Sequence, residues 1–182
     1  MTRFYTKKGD DGYTSLLGKG RAPKYDRRIE TIGAIDEANA ALALARSLCL
    51  DSPTAVILTN VQRDLYYLMS EVAATPENAA QFRKITPERV SWLEEQIDAI
   101  SAMVTIPEEF ILPGDSRAGA AIDLARTIIR RAERQLARLL LTKKLENPEI
   151  LHYMNRLSSL CFVLELLENK KAGSENSTLA KE

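Results

Sequence analysis

Two groups of residues in this sequence have the types and spacing needed to hold phosphates. The first is Lys7-Lys8-Gly9-Asp10-Asp11-Gly12-Tyr13-Thr14-Ser15. Glycines allow several backbone N–H groups to converge on one anion without a Cβ in the way. Thr14 and Ser15 add hydroxyl donors, and Lys7, Lys8, Lys19, Arg21 and Lys24 add positive charge. This is not a Walker A loop. The gap between Gly12 and Gly18 is one residue too long, and Gly20 follows Lys19 where Ser or Thr is required. Composition alone leaves two readings open, a polyphosphate cradle and a solvated arm with turns.

The second group is Arg126, Arg130 and Arg134, which recur every fourth residue and therefore share one side of a helix. With Arg117, Arg131 and Arg138 they make six arginines between positions 117 and 138, opposed there only by Asp123 and Glu133. That segment carries +4 in a chain whose 25 basic and 25 acidic residues cancel. Its apolar face is Ala121, Ile122, Ala125, Ile128, Ile129, Ala132, Leu136 and Leu139. At about 100° per residue, Arg126 and Glu133 flank that face while Arg130 and Arg134 point away from it. The outward arginines form either a solvated basic face or a fork of guanidiniums for phosphate, a geometry lysine cannot reproduce. The second reading has a structural consequence. A site turned away from the core needs a cover from the N-terminal arm, another subunit, or both.

Smaller signals accompany these. Asp36 and Glu37 lie inside a helix, as a surface pair or, if buried, with Arg126 as partner of Asp36. Asn155, just before Arg156 and close to Ser158 and Ser159, either bonds a neighbour or reads a ligand. Phe110-Ile111-Leu112-Pro113-Gly114 is an apolar loop leading into the arginine helix, with Phe110 read as a hydrophobic anchor. The lone His152 cannot build a metal cluster, so no protein metal site is expected. Cys49 and Cys161 form no CxxC pair and read as reduced core thiols.

The elements that must position these residues are helical. Asp26 can cap a helix running to about Leu50, and Asp51-Ser52-Pro53, Thr86-Pro87-Glu88, Asp115-Ser116 and Asn147-Pro148-Glu149 each start another. Apolar stripes follow at helical spacing: Val56, Ile57, Val61, Leu65, Leu68, Met69 and Val72, then Val90, Leu93, Ile97 and Ile100. Half of the eight glycines fall in the first 20 residues, so residues 1–25 form a glycine-rich arm with short extended pieces near 4–6 and 13–17. The expected fold is all-α, a five-helix bundle over 26–171 with up-down packing of ferritin-like type. A frayed tail is expected over 172–182. Zero net charge argues against a general attraction to nucleic acid or an anionic membrane. No apolar run approaches the ~20 residues of a membrane span. Residues 1–10 contain no signal-peptide segment, and a cytoplasmic location is expected.

Taken in order, these segments resemble the PduO-type ATP:cob(I)alamin adenosyltransferases. The resemblance rests on residues 5–15, Arg21-Ala22-Pro23-Lys24, Gly33-Ala34-Ile35-Asp36-Glu37, Phe110–Gly114, Ala125-Arg126 through Arg134, and Asn155-Arg156-Leu157-Ser158. It implies a homotrimer with active sites between subunits. The implied reaction transfers the 5′-deoxyadenosyl group of ATP to the cobalt of reduced cobalamin, with Mg²⁺ accompanying ATP. By the same resemblance Thr6, Lys7, Lys8, Gly9, Thr14, Ser15 and Lys24 hold ATP from the arm. Arg130, Arg131, Glu133, Arg134 and Asn155 hold it from the helices, with Arg130 on the phosphates. Asp36 and Arg126 form a structural pair near the corrinoid. Phe110 presses on the lower face of the corrin ring and excludes the axial ligand, which eases reduction of cob(II)alamin. A flavin or other reductase and a cobalamin-dependent acceptor enzyme are the implied further partners.

The chain departs from the pattern of that family at four places: Lys8 for a common Thr, Ala38 for Leu, Asp115 for a second Gly, and Ser159 for Asp. Two other classes of function fit parts of the sequence. A non-catalytic ATP- and corrinoid-binding delivery module would bind without releasing triphosphate. A purely structural bundle would show no ATP-dependent thermal shift.

Overall fold

The computed structural model describes residues 5–49, 53–174 and 176–181. It has a two-stranded antiparallel hairpin, β1 (Tyr13–Ser15) and β2 (Arg21–Pro23), followed by α1 (Arg27–Leu48), α2 (Pro53–Ala73), α3 (Ala79–Phe82), α4 (Pro87–Ser101), α5 (Arg117–Leu141) and α6 (Glu149–Lys171). The five expected helices are the five long ones. The short α3 was not anticipated, because four residues are too few to display a period.

Local chemistry sets the helix starts. Asp26 accepts the Arg28 N–H at the head of α1, and Ser116 accepts the Gly119 N–H at the head of α5. Pro87 occupies the first turn of α4 after Thr86. Asn147 accepts the Glu149 N–H before α6 and also donates to Glu71 and to the Ile85 carbonyl, so one side chain starts a helix and ties it to α2 and to the segment before α4. The expected cap at Asp51-Ser52 lies outside the described residues, as does Phe4 of the expected extended piece.

α1 packs between α2 and α5, and α5 between α1 and α6, with α4 on the other side of α6. Buried Ala34, Ala38 and Ala45 let α1 take a central place with neighbours on two sides. The ring of helices closes through buried Asp64 on α2. It accepts from the Arg89 guanidinium on α4 and, at 2.8 Å, from the Tyr153 hydroxyl on α6. Arg89 also stacks 4.5 Å over Trp92. The core follows the predicted stripes at Val61, Leu65, Leu68, Val72, Leu93, Ile122, Ile129 and Leu136, all fully buried, and adds Leu58 and Leu164, which they omit. Val56 differs. It lies one turn into α2 and faces outward. Cys49 and Cys161 are buried, in no disulfide, and burial pushes their thiols up to about 11 and about 12.

α5 and α6 approach closely at one end. A Cβ on Gly119 would lie 2.1 Å from Asn169 Oδ1, an atom that instead accepts the Ser116 hydroxyl at 2.7 Å. The arm docks at the far end of α2, where the Leu17 N–H donates to Ala73 O and the Thr75 N–H donates to Leu17 O. Gly18 there has φ +145°, and a Cβ would come within 2.0 Å of Thr75 Oγ1, so no other residue fits without displacing the contact. At the root of the arm, Arg28 donates to the carbonyls of Val72, Ala74 and Lys144, each at 2.8 Å. That guanidinium joins the C-terminal end of α2 to the loop that follows α5.

The expected frayed tail is partly bound. Leu112 N–H donates to Thr178 O and Ala180 N–H donates to Phe110 O, each at 2.8 Å, in an antiparallel bridge between Ile111 and Leu179. Asp115 secures the pairing by accepting from the Thr178 hydroxyl at 2.6 Å and its N–H at 3.0 Å. Non-local pairing of this kind leaves no periodic trace in sequence. Asp115→Ala removes two hydrogen bonds, each worth about 1 kcal/mol. Amide exchange at Leu112 and Ala180 should accelerate about tenfold or more in that variant, with the helices unaffected.

Candidate functional site

The arginine helix presents its side chains as the period predicts. Arg130, Arg131 and Arg134 are exposed, Arg126 and Glu133 are half-buried, and the opposite side carries the core. Two cavities open beside this helix and share Arg126 and Phe162 as lining residues. One, of about 390 Å³, is formed by Arg130 with Ser101, Ile106, Ser158, Ser159 and Val163. The other, of about 420 Å³, is formed by Phe110, Ile111 and Pro113 against Asp123 and Glu165, with Glu108 and Glu109 also in its lining. A cationic recess and a largely apolar one therefore lie side by side on one protomer.

Phe110 is 87% exposed, held at its backbone by Ala180 while its ring has no core to enter. An aromatic ring so displayed is available for contact with a large flat ligand. Asn155 on α6 donates to Glu133 Oε1 at 2.9 Å, and its own Oδ1 accepts from Arg156, which reaches on to Glu94. This polar chain fixes Glu133 and Asn155 beside Arg130 and Arg134. Both readings of Asn155 thus remain compatible, since a neighbour holds an amide that is still exposed.

Several expected placements differ. Arg126 does not pair with Asp36 within the chain: its Nε donates to Asp123 Oδ1 at 2.7 Å, one turn earlier on the same helix. Asp36 is exposed on α1. An (i, i+3) carboxylate is always within reach of such an arginine, and this local competitor wins inside a protomer. Arg131 leaves the cavity side and pairs with Glu37 of α1. Arg21, expected to offer charge to a phosphate, is bound to Asp11 at 2.6 and 2.8 Å and donates to the carbonyls of Lys8 and Tyr13. It staples the turn, and it holds the Asp11 carboxyl down at about 2.

In the arm, Lys7 has φ +59° and Gly12 φ +81°, and successive turns close through Asp10 N–H to Lys7 O and Gly12 N–H to Gly9 O. The Lys24 ammonium lies over Gly9, 3.2 Å from where a Cβ would stand, so Gly9 leaves room for that cation. Thr6, Lys7, Lys8, Ser15 and Lys24 are exposed, and Thr14 is half-buried. No hydrogen bond or ion pair among the described residues links these arm residues to Arg126, Arg130, Arg131, Glu133 or Arg134. The arm is rooted near Lys144, beyond the C-terminal end of α5, whereas Arg130 lies eleven residues before that end, about 16 Å along the axis. The root of the arm and the Arg130 side chain therefore belong to different levels of the bundle.

His152 follows Glu149 at Glu-x-x-His spacing and contacts it at 3.3 Å. Bundles that hold two metals use that spacing in duplicate. Here the described residues contain no group of three His, Cys, Asp or Glu side chains able to hold a metal ion. No helix is long and apolar enough to cross a membrane among the described residues. Sequence reading missed the buried acid Glu165, although a single Glu within Leu160-Cys161-Phe162-Val163-Leu164-Glu165-Leu166-Leu167 was a visible signal.

Comparison with known proteins gives a consistent result. The family model described as cobalamin adenosyltransferase matches residues 4–168. A corrinoid adenosyltransferase of Bacillus subtilis is 38% identical over 176 residues, covering 94% of this chain and 89% of that protein. The corrinoid adenosyltransferase PduO of Salmonella typhimurium is 36% identical over 174 residues, 95% of this chain but 52% of that longer protein, so the chain spans about half of it. Among solved structures, a variant PduO-type ATP:corrinoid adenosyltransferase from Lactobacillus reuteri, complexed with cobalamin and ATP, is similar with a TM-score of 0.86 at 32% identity. That alignment covers 99% of this chain and 97% of the other.

Proposed function

Because the chain belongs to the cobalamin adenosyltransferase family, we propose that it transfers the 5′-deoxyadenosyl group of ATP to the cobalt of cob(I)alamin. A Co–C5′ bond forms, the C5′–O bond breaks, and its electron pair leaves on inorganic triphosphate. The observation that carries this reading is the pair of adjoining recesses, one lined by Arg130 and one by Phe110, that share Arg126 and Phe162.

Cob(I)alamin is itself a strong nucleophile, so the protein has no need of a general base. Its tasks are to align C5′ with the cobalt and to stabilise the charge gathering on the departing triphosphate. Arg130 and Arg134, with Glu133 and Asn155 held beside them, serve the nucleotide from the helices. Thr6, Lys7, Lys8, Gly9, Thr14, Ser15 and Lys24 serve it from the arm, which a single protomer keeps apart from the arginines. A homotrimer, with each cleft completed by a neighbour's arm, supplies both halves at once. It also offers the exposed Asp36 a route to Arg126 of another copy. Phe110 serves as an apolar wedge that excludes a lower axial ligand and makes cob(II)alamin easier to reduce. Mg²⁺ supplies charge neutralisation to ATP. The described residues form no cage for it, so phosphate oxygens and water would hold it.

The test is direct. Protein mixed with ATP, Mg²⁺ and chemically reduced cobalamin should develop the adenosylcobalamin spectrum with one triphosphate released per corrinoid. A persisting cob(I)alamin spectrum counts against the reading.

A further inference from the structure

We propose that Glu165 works as a protonated positioning residue, donating to Asp123 and thereby setting Arg126 in the wall of the corrinoid-receiving recess; this rests on the reading of that recess given above. Glu165 is 1% exposed on α6, yet it lines the cavity beneath Phe110. Its Oε1 meets no hydrogen-bond partner among the described residues. Asp123, also buried, lines the same cavity as Glu165, and its Oδ1 accepts from Arg126 Nε. Two carboxyl groups thus compete for one guanidinium, and Arg126 is committed to Asp123.

A buried carboxylate with no donor is costly, and keeping its proton removes the cost. A neutral Glu165 can donate that proton to the Asp123 side chain that holds Arg126. The groups facing Glu165 agree with this arrangement. Asp123 and Arg126 face it from α5 and Asp115 from the segment before α5. Cys161 lies one turn earlier on α6, Glu108 and Glu109 share the cavity, and on α4 Glu94 is engaged elsewhere with Arg156. Burial first, and the Asp123 charge second, push Glu165 from 4.5 up to about 7, against the partial opposition of Arg126. Above that pH Glu165 adds a negative charge beside Asp123 and Arg126. A corrinoid that displaces water from the recess makes the anion costlier still, so binding favours the protonated state.

Two measurements test the proposal, each on wild type, Glu165→Gln and Asp123→Asn. The folded protein holds a proton that an unfolded glutamate releases, so Glu165 makes unfolding stability fall as pH rises from about 4.5 to about 7. Subtracting the Glu165→Gln curve from wild type should expose that fall. Asp123→Asn, which removes the neighbouring charge, should shrink it, and this arm stands even if Glu165→Gln folds poorly. Cob(II)alamin affinity should weaken about tenfold between pH 7 and 8.5 in wild type and stay level in Glu165→Gln, with ATP affinity level in both. Superimposable stability profiles, or the same pH dependence of corrinoid affinity in wild type and Glu165→Gln, overturn the proposal. A stability difference without corrinoid uptake by either protein would uphold the proton and sink the reading of the recess.

Discussion

Arg130→Ala is expected to lower kcat/KM with pre-reduced cob(I)alamin about 10²- to 10³-fold, the loss seen when one preorganised charge-stabilising donor is removed from a transition state. The side chain is exposed and has no ion-pair partner among the described residues, so its removal strands no buried acid and leaves the core unchanged. Thermal unfolding and oligomer size should match wild type. Arg130→Lys should fall between the two, because an ammonium keeps the charge without the two-pronged geometry. Undiminished turnover by Arg130→Ala would remove the phosphate grip from the mechanism.

Phe110→Ala separates two steps that share one recess. The ring contributes nothing to the core, so folding and ATP affinity should be preserved. Its burial under a corrin would be worth about 1.5–3 kcal/mol, which corresponds to a 10- to 100-fold effect. That loss is expected when the reaction begins from cob(II)alamin and a reductant, where the wedge must displace an axial ligand. Starting from cob(I)alamin, which has shed the ligand, turnover should fall only a few-fold. Equal losses from both starting states would contradict ligand exclusion.

Much of what depended on nearby residues was legible in the sequence. Asp26 and Ser116 cap their helices because a cap needs only the next turn, and the buried stripe of α5 followed from its period. The outward direction of Arg130 and Arg134, and hence the need for a cover, followed from the same geometry. The errors arose where distant partners compete. Arg21 reads as a free cation in the sequence, yet folding brings Asp11 beside it, and within one protomer Asp123 holds Arg126. The tail looked too polar to be ordered, because backbone pairing with Phe110 and Leu112 asks little of side chains. Asp115 illustrates the same limit: only the folded chain shows it to be the acceptor that fastens Thr178.

That fastening bears on how the protein should be handled. Chain ends are ordinarily the safest places for affinity handles and fusions. Here residues 178–180 brace the aromatic wedge, and residues 5–24 form the proposed nucleotide arm. A label grafted beside either segment would crowd the proposed site.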